Sequence, residues 1–290
     1  MDTKTAEILC NATAAFYRAQ AASFSATRHA PWPGWRRCVA EALDAFGTPA
    51  SRSHDEDAEA PASPSGNDVA ARSACEPPAC LRVFDLACGN LRFEAFLVDA
   101  LPATRLEVYA VDNCDALACD ESLASSASVV YESVDVIRGL IGGAPLASLH
   151  RAPAADLAAS FGFFHHVPGV DLRLRVLEGL IDAVRPGGMV AVSLWQFMKS
   201  DALAAKAAAT HPRALESLGI DPASLDENDW LLGWKDAEDT WRYCHHFADE
   251  EIDWLIASVV NRARLLARFE ADGRTGDMNT YLILQRTDAA

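Results

Sequence analysis

No stretch of this chain holds the roughly 18 to 20 consecutive apolar residues that a membrane-spanning helix requires. Nor does the N-terminus, with Asp2 and Glu7 around Lys4, carry the charge pattern of a secretory signal. A soluble cytoplasmic protein is expected. Basic residues are scarce, 25 against 41 acidic ones, and the formal net charge of −16 opposes simple electrostatic binding to nucleic acid. The eight cysteines are scattered, with no pair two residues apart, so neither a zinc centre nor a disulfide framework is signalled. No internal repeat is visible. Between Thr48 and Cys80 large apolar residues almost vanish: prolines sit among Ser, Ala and six acids against two arginines, a balance of about −4. Such composition cannot offset the entropy of ordering, which predicts a disordered insertion over 48–80.

Half of the 290 residues are apolar, enough for one large α/β domain with additions. Leu81 to Leu86 reads as a buried strand, and Ala87, Cys88, Gly89 and Asn90 as a tight turn into a helix starting near Leu91. A dinucleotide fingerprint needs three glycines at positions held here by Ala87, Gly89 and Arg92, so pyrophosphate binding is the weaker reading. Asp85, just before the turn, suits the ammonium of an amino-acid moiety instead. A second strand, Leu106 to Val111, ends in Asp112, about twenty residues beyond the turn, where an acid accepts two ribose hydroxyls.

With Asp85, Gly89 and Asp112 in register, the chain resembles the class I S-adenosylmethionine-dependent methyltransferases, although Ala87 replaces the first glycine of their D-x-G-x-G motif. The resemblance implies a Rossmann-like, seven-stranded, mostly parallel sheet with helices on both faces, and S-adenosyl-L-methionine as cofactor. Further strands are expected at Ser128 to Val134, Asp156 to Phe161 and Met189 to Trp195, with Arg262 to Ala271 and Asn279 to Arg286 as a closing antiparallel pair. Asp135 is a candidate acceptor for the adenine amino group. The loop carrying His165 and His166 is expected beside the cofactor, with His165 as a binding residue.

Outside this core, at 81–290, helices are expected at Asp2 to Gln20 and Trp35 to Phe46, giving an N-terminal extension over 1–47. A lid insertion is expected over about 199–247, followed by a helix capped by Asp249. Two stretches are more particular: Phe24, Ser25, Thr27 and Arg28 with Trp32-Pro33, and Arg242-Tyr243 with His245 and Phe247. They resemble the paired motifs of the eukaryotic tRNA methyltransferases that esterify carboxymethyluridine at the wobble position, a family with bacterial relatives. Arg28 is the candidate for the cofactor's carboxylate; Trp32, Arg242, Tyr243, His245 and His246 are substrate candidates. No catalytic base stands out, no metal is expected, and a carboxylate acceptor would need no strong base. Two alternatives stay open: a small-molecule methyltransferase, and a non-catalytic methyltransferase-like subunit working with an activating protein partner.

Overall fold

The computed structural model describes residues 1–47, 78–118, 127–234, 237 and 239–287. The expected disordered insertion therefore falls outside the described residues, except for its last three positions. Of these, Cys80 already begins the first strand.

Helix α1 (Thr3–Ser25) starts where the Asp2 side chain accepts from the Thr5 amide at 3.0 Å. It runs five residues beyond the expected end, because Ala21 and Phe24 continue its apolar stripe against Cys114 and Leu117. Helix α2 (Pro33–Gly47) opens on Pro33, whose fixed φ and missing N–H suit a first helical position.

The core then alternates β1 (Cys80–Leu86), α3 (Arg92–Ala100), β2 (Arg105–Asp112), β3 (Ala127–Ser133), α4 (Val136–Ile141), β4 (Ala155–Ser160), α5 (Val170–Ala183) and β5 (Val184–Trp195). After β5 come α6 (Asp201–Leu218), β6 (Asp229–Leu232), β7 (Arg242–His245), α7 (Asp249–Ser258), β8 (Ala263–Ala271) and β9 (Asn279–Arg286). The main sheet has seven strands in the order β3-β2-β1-β4-β5-β9-β8. The first five are mutually parallel, and β9 runs antiparallel between β5 and β8. The chain moves outward from β1 to β3 and returns to β4 on the other side of β1. That reversal opens a crevice at the carboxyl ends of β1 and β4, where such sheets bind ligands.

Side-chain alternation splits the core by face. Val190, Val192, Leu282 and Leu284 join α4, α5 and α7 on one side; Met189, Ala191, Tyr281 and Ile283 join α2 and α3 on the other. Strands β6 and β7 form a separate antiparallel pair. Leu231 and Tyr243 of this pair, with Trp241 just before β7 and Leu215 of α6, close over Leu9 of α1. The N-terminal helix and the segment expected as a lid thus share one apolar cluster. Asp249 does not cap α7: Ala248 holds that position, and Asp249 sits in the first turn and pairs with Arg268 at 2.7 Å. No helix among the described residues is long and apolar enough to cross a membrane.

Candidate functional site

A cavity of about 330 Å³ occupies the crevice. Its floor is the turn after β1 and the ends of β2, β4 and β5; α1, the α1–α2 connection, β7 and the β8–β9 loop close over it.

At the floor, Ala87 and Cys88 donate their amides to the Val111 carbonyl at 2.7 and 3.1 Å, fastening the turn to β2. The Gly89 amide donates to Asp112 Oδ2 at 2.9 Å, and the Cys114 amide to Asp112 Oδ1 at 2.8 Å. Asp112 is thereby aimed, each oxygen keeping a second lone pair for a ligand. Burial nevertheless holds its carboxyl above the usual carboxylate range, against the pull of these amides. Gly89 has φ +56, and a Cβ there would meet nothing within 4 Å, so the backbone faces open space. Ala87 also adopts a left-handed φ, 65°, where a Cβ is strained. The cost of the missing glycine is therefore conformational.

Asp85 is 2 % exposed, lines the cavity, and has no partner for Oδ1. Beneath it lies a residue that the sequence reading missed, Glu94 in the first turn of α3, fully buried and with both carboxylate oxygens unpartnered. Burial first, and then the Glu94 charge, push the Asp85 carboxyl well up; burial likewise raises Glu94. Asp135 lines the far end of the cavity and caps α4 by accepting from the Arg138 amide at 3.0 Å.

The other end is aromatic and cationic. Trp32 lies against Trp35 and covers Gly162, where a Cβ would approach it to 3.0 Å. The Arg28 guanidinium sits 3.7 Å over the Phe24 ring, and burial lowers its pKa to about 10. Arg242, 7 % exposed, lies among the rings of Phe16, Trp195 and Trp234 with Nε unpartnered. Neither arginine pairs with a carboxylate among the described residues. His165 turns an unpartnered Nδ1 into the same region, and burial, followed by His166, Arg242 and Arg28, drives its pKa far down. The Tyr243 carbonyl can only accept, so His166 Nδ1, 2.6 Å away, carries the proton, and Nε2 accepts from Tyr17 at 2.8 Å. Burial lowers His166 to about 3.

His165, His166 and Cys244 bring three potential metal-ligating atoms within 4.8 Å of one another. His166 is already committed at both nitrogens, and burial pushes the Cys244 thiol up to about 11, which works against thiolate ligation.

The structure brings Arg28, Trp32, Asp85, Ala87, Gly89, Asp112, Asp135, His165 and Arg242 to one cavity wall. It does not bring Tyr243, His245 or His246 there. For Tyr243 and His245 strand alternation is the reason: in β7, Arg242 faces the cavity while these two face away; His246 lies beyond the end of the strand. Tyr243 donates to Asp229 Oδ1 at 2.6 Å; His245 bridges Asp229 at 2.7 Å and Glu251 at 2.6 Å; Arg173 holds Glu251 at 2.7 Å. Burial opposes the charge on Glu251, but the bond from His245 and the Arg173 charge outweigh it and leave its pKa low. His246 takes the Met198 amide on Nδ1 at 3.3 Å and packs on Phe197, and burial lowers its pKa to about 4. Also missed was Asp272, at the mouth, which accepts from the Gly34 amide, Asn279 and Tyr281 and so ties the β8–β9 loop to the start of α2.

No family model matches this chain, and no curated protein matches it. Among solved structures it is similar to a SAM-dependent methyltransferase from Methanosarcina mazei, at 15% identity over 73% of this chain and 95% of that one, with a TM-score of 0.51. It is also similar to a DhpI–SAH complex, at 13% identity over 96% and 97% of the two chains, with a TM-score of 0.53. The chain has the Rossmann-like, seven-stranded fold of these SAM-dependent methyltransferases.

Proposed function

We propose that this protein is an S-adenosylmethionine-dependent methyltransferase, with the cofactor lying along Asp85, Gly89, Asp112 and Asp135 and the acceptor entering beside His165 and Arg242. The observation that carries the reading is the bond from Gly89 to Asp112 at the sheet's reversal, which joins a left-handed turn and an aimed carboxylate in one unit. The residues fit the cofactor's parts: the orphaned, buried Asp85 Oδ1 suits an ammonium, Asp112 a pair of hydroxyls, and Arg28 a carboxylate. The SAH held by DhpI supports the same ligand class.

When bound, the cofactor supplies an electrophilic methyl on sulfur. The chain's contribution is positional: α1, Trp32 and the β8–β9 loop exclude water, and Arg242 orients the acceptor so that its lone pair faces the methyl. His165 stays neutral at ordinary pH and is too weak a base to strip an alcohol, which favours an acceptor that is already nucleophilic.

A small-molecule acceptor is the favoured reading, because this end of the cavity is walled by Phe24, Trp32 and Trp195 and the chain's charge repels polyanions. One observation favours the tRNA carboxymethyluridine reading: Arg242, without a carboxylate partner among the described residues, would suit a carboxymethyl group. Incubating the purified protein with S-adenosylmethionine and either a metabolite extract or undermodified tRNA, then measuring S-adenosylhomocysteine and methylated product, decides between them. Cofactor binding with no turnover on any acceptor would point to a non-catalytic binding subunit; no cofactor binding would overturn the proposal.

A further inference from the structure

The carboxyl groups of Asp85 and Glu94 are buried together without a counter-charge. Glu94 is the third residue of α3, where a glutamate ordinarily reaches back to the amide that starts the helix. Here that amide, of Leu91, donates to the Cys88 carbonyl at 3.1 Å, and both Glu94 oxygens are left without a partner. Capping is thus not what Glu94 does. Among the described residues, no lysine, arginine or histidine bonds to either carboxyl. The titratable groups that face the pair are Asp112 at the end of β2, whose charge opposes further negative charge there, and Cys88 in the turn, whose thiol is kept neutral by burial and the neighbouring carboxyls.

Two carboxylates cannot both stay ionised in such a place without a cation beside them, so by itself the pair retains a proton. A cation arriving at Asp85 changes that balance. Asp85 lines the cavity with an unpartnered, almost wholly buried Oδ1, so the pair is open to a ligand through Asp85 alone.

We infer that Glu94 is a specificity-determining residue for a primary ammonium: it lies behind Asp85 as a second carboxyl, and the pair releases its proton to solvent as the ligand's ammonium binds. The step balances: one O–H bond of the pair breaks, its proton passes to the buffer, and the ammonium keeps its own protons and supplies the counter-charge. This inference rests on the cofactor site proposed above and adds to it a residue and a charge requirement. Ligands that share the adenosine part but carry no amino group gain nothing from the pair.

The test is calorimetry of the intact protein at pH 7 in phosphate and in Tris, whose ionisation enthalpies differ widely. Two probes are used: S-adenosylhomocysteine, and 5′-methylthioadenosine, which lacks the amino group. For S-adenosylhomocysteine, the two buffers should report release of on the order of half a proton or more. For 5′-methylthioadenosine they should report none. In Glu94→Gln the release should disappear, and the preference for S-adenosylhomocysteine over 5′-methylthioadenosine should fall by about tenfold, the loss of one charge-assisted interaction. Binding of both probes to the wild type with identical heats in the two buffers would overturn the inference, as would undiminished proton release in Glu94→Gln. Failure of the wild type to bind either probe would instead overturn the cofactor site. The two-buffer comparison on the wild type decides the matter even if the variant folds poorly.

Discussion

The Gly89 amide and the Asp112 carboxylate are bonded at 2.9 Å across the ends of neighbouring strands, and the Cys114 amide holds the other Asp112 oxygen. Asp112 therefore serves the fold as well as the ligand. Asp112→Ala should weaken S-adenosylhomocysteine binding by about 2 to 3 kcal/mol, since hydroxyl bonds to a charged acceptor are lost. It should also lower stability by about 1 to 2 kcal/mol, because two amides lose their acceptor. Calorimetry and urea unfolding measure the two effects separately. Unchanged affinity would remove Asp112 from the site.

Ala87 offers a test of opposite sign. Its φ of 65° is one that an L side chain adopts at a cost, and glycine carries no such cost. Part of the gain is offset because glycine also frees the unfolded chain. Ala87→Gly should thus raise unfolding free energy by about 0.5 to 1 kcal/mol and leave cofactor affinity within about twofold. A destabilised variant would show that the methyl makes packing contacts that outweigh the backbone strain.

The parts of the structure that were legible in the sequence are those governed by local pattern. The strand–turn–helix around Gly89, Asp112 at its spacing, and the antiparallel pair 263–271 and 279–286 all follow from apolar runs punctuated by small or acidic residues. Glu94 was hidden because a glutamate in the first turn of a helix looks like an ordinary exposed residue or cap; only the tertiary fold buries it behind Asp85. Asp229 and Glu251 were hidden as the partners of His245 because 16 and 6 residues separate them from it, and no local periodicity encodes that meeting. The sequence reading also took Arg242 to His246 as one cluster, whereas strand alternation sends neighbours to opposite faces.

Acid should unfold this protein through its histidines. His166 is held neutral with a pKa of about 3, and His165 is also depressed, against about 6.5 in an unfolded chain. Groups with depressed folded values contribute stability that is complete above pH 6.5 and is lost as pH falls toward about 3. Urea midpoints should therefore decline steadily from pH 6.5 to pH 4. In His166→Asn the midpoint at pH 7 should be lower but its decline over that interval shallower. A parallel decline in wild type and variant would assign the acid sensitivity to other groups.

Glu94 and Asp85 predict a second pH effect, on the alkaline side. Their folded values are raised, so the stability they allow is complete below the ordinary carboxylate range near 4 and is lost as pH rises through the raised values. Without ligand, Glu94→Gln should be more resistant to urea than the wild type at pH 8, and the advantage should shrink toward pH 5. A variant less stable than wild type throughout would show that Glu94 makes a favourable contact in its ionised form.

Arg242 and His245, three positions apart on opposite faces of β7, should separate under mutation. Arg242 faces the cavity, ringed by Phe16, Trp195 and Trp234, and has no carboxylate to leave stranded among the described residues, so Arg242→Ala should remain folded. Its loss should appear as a fall of about 100-fold in kcat/KM for the acceptor, the scale of a lost charge-assisted interaction, with S-adenosylhomocysteine affinity within about twofold. Arg242→Lys should recover little, because a point charge does not reproduce the planar fork. His245 instead joins Asp229 to Glu251 inside the protein. Removing its ring takes a charge-assisted partner from buried Asp229 and half-buried Glu251, leaving the first to Tyr243 and the Asp226 amide and the second to Arg173, so His245→Ala should cost about 3 to 5 kcal/mol of stability, while the fraction that stays folded uses the acceptor normally. Thermal melts alongside steady-state kinetics make the distinction. A stable His245→Ala protein with selectively impaired acceptor turnover would return that residue to the active site and overturn the division of β7 into a cavity face and a structural face.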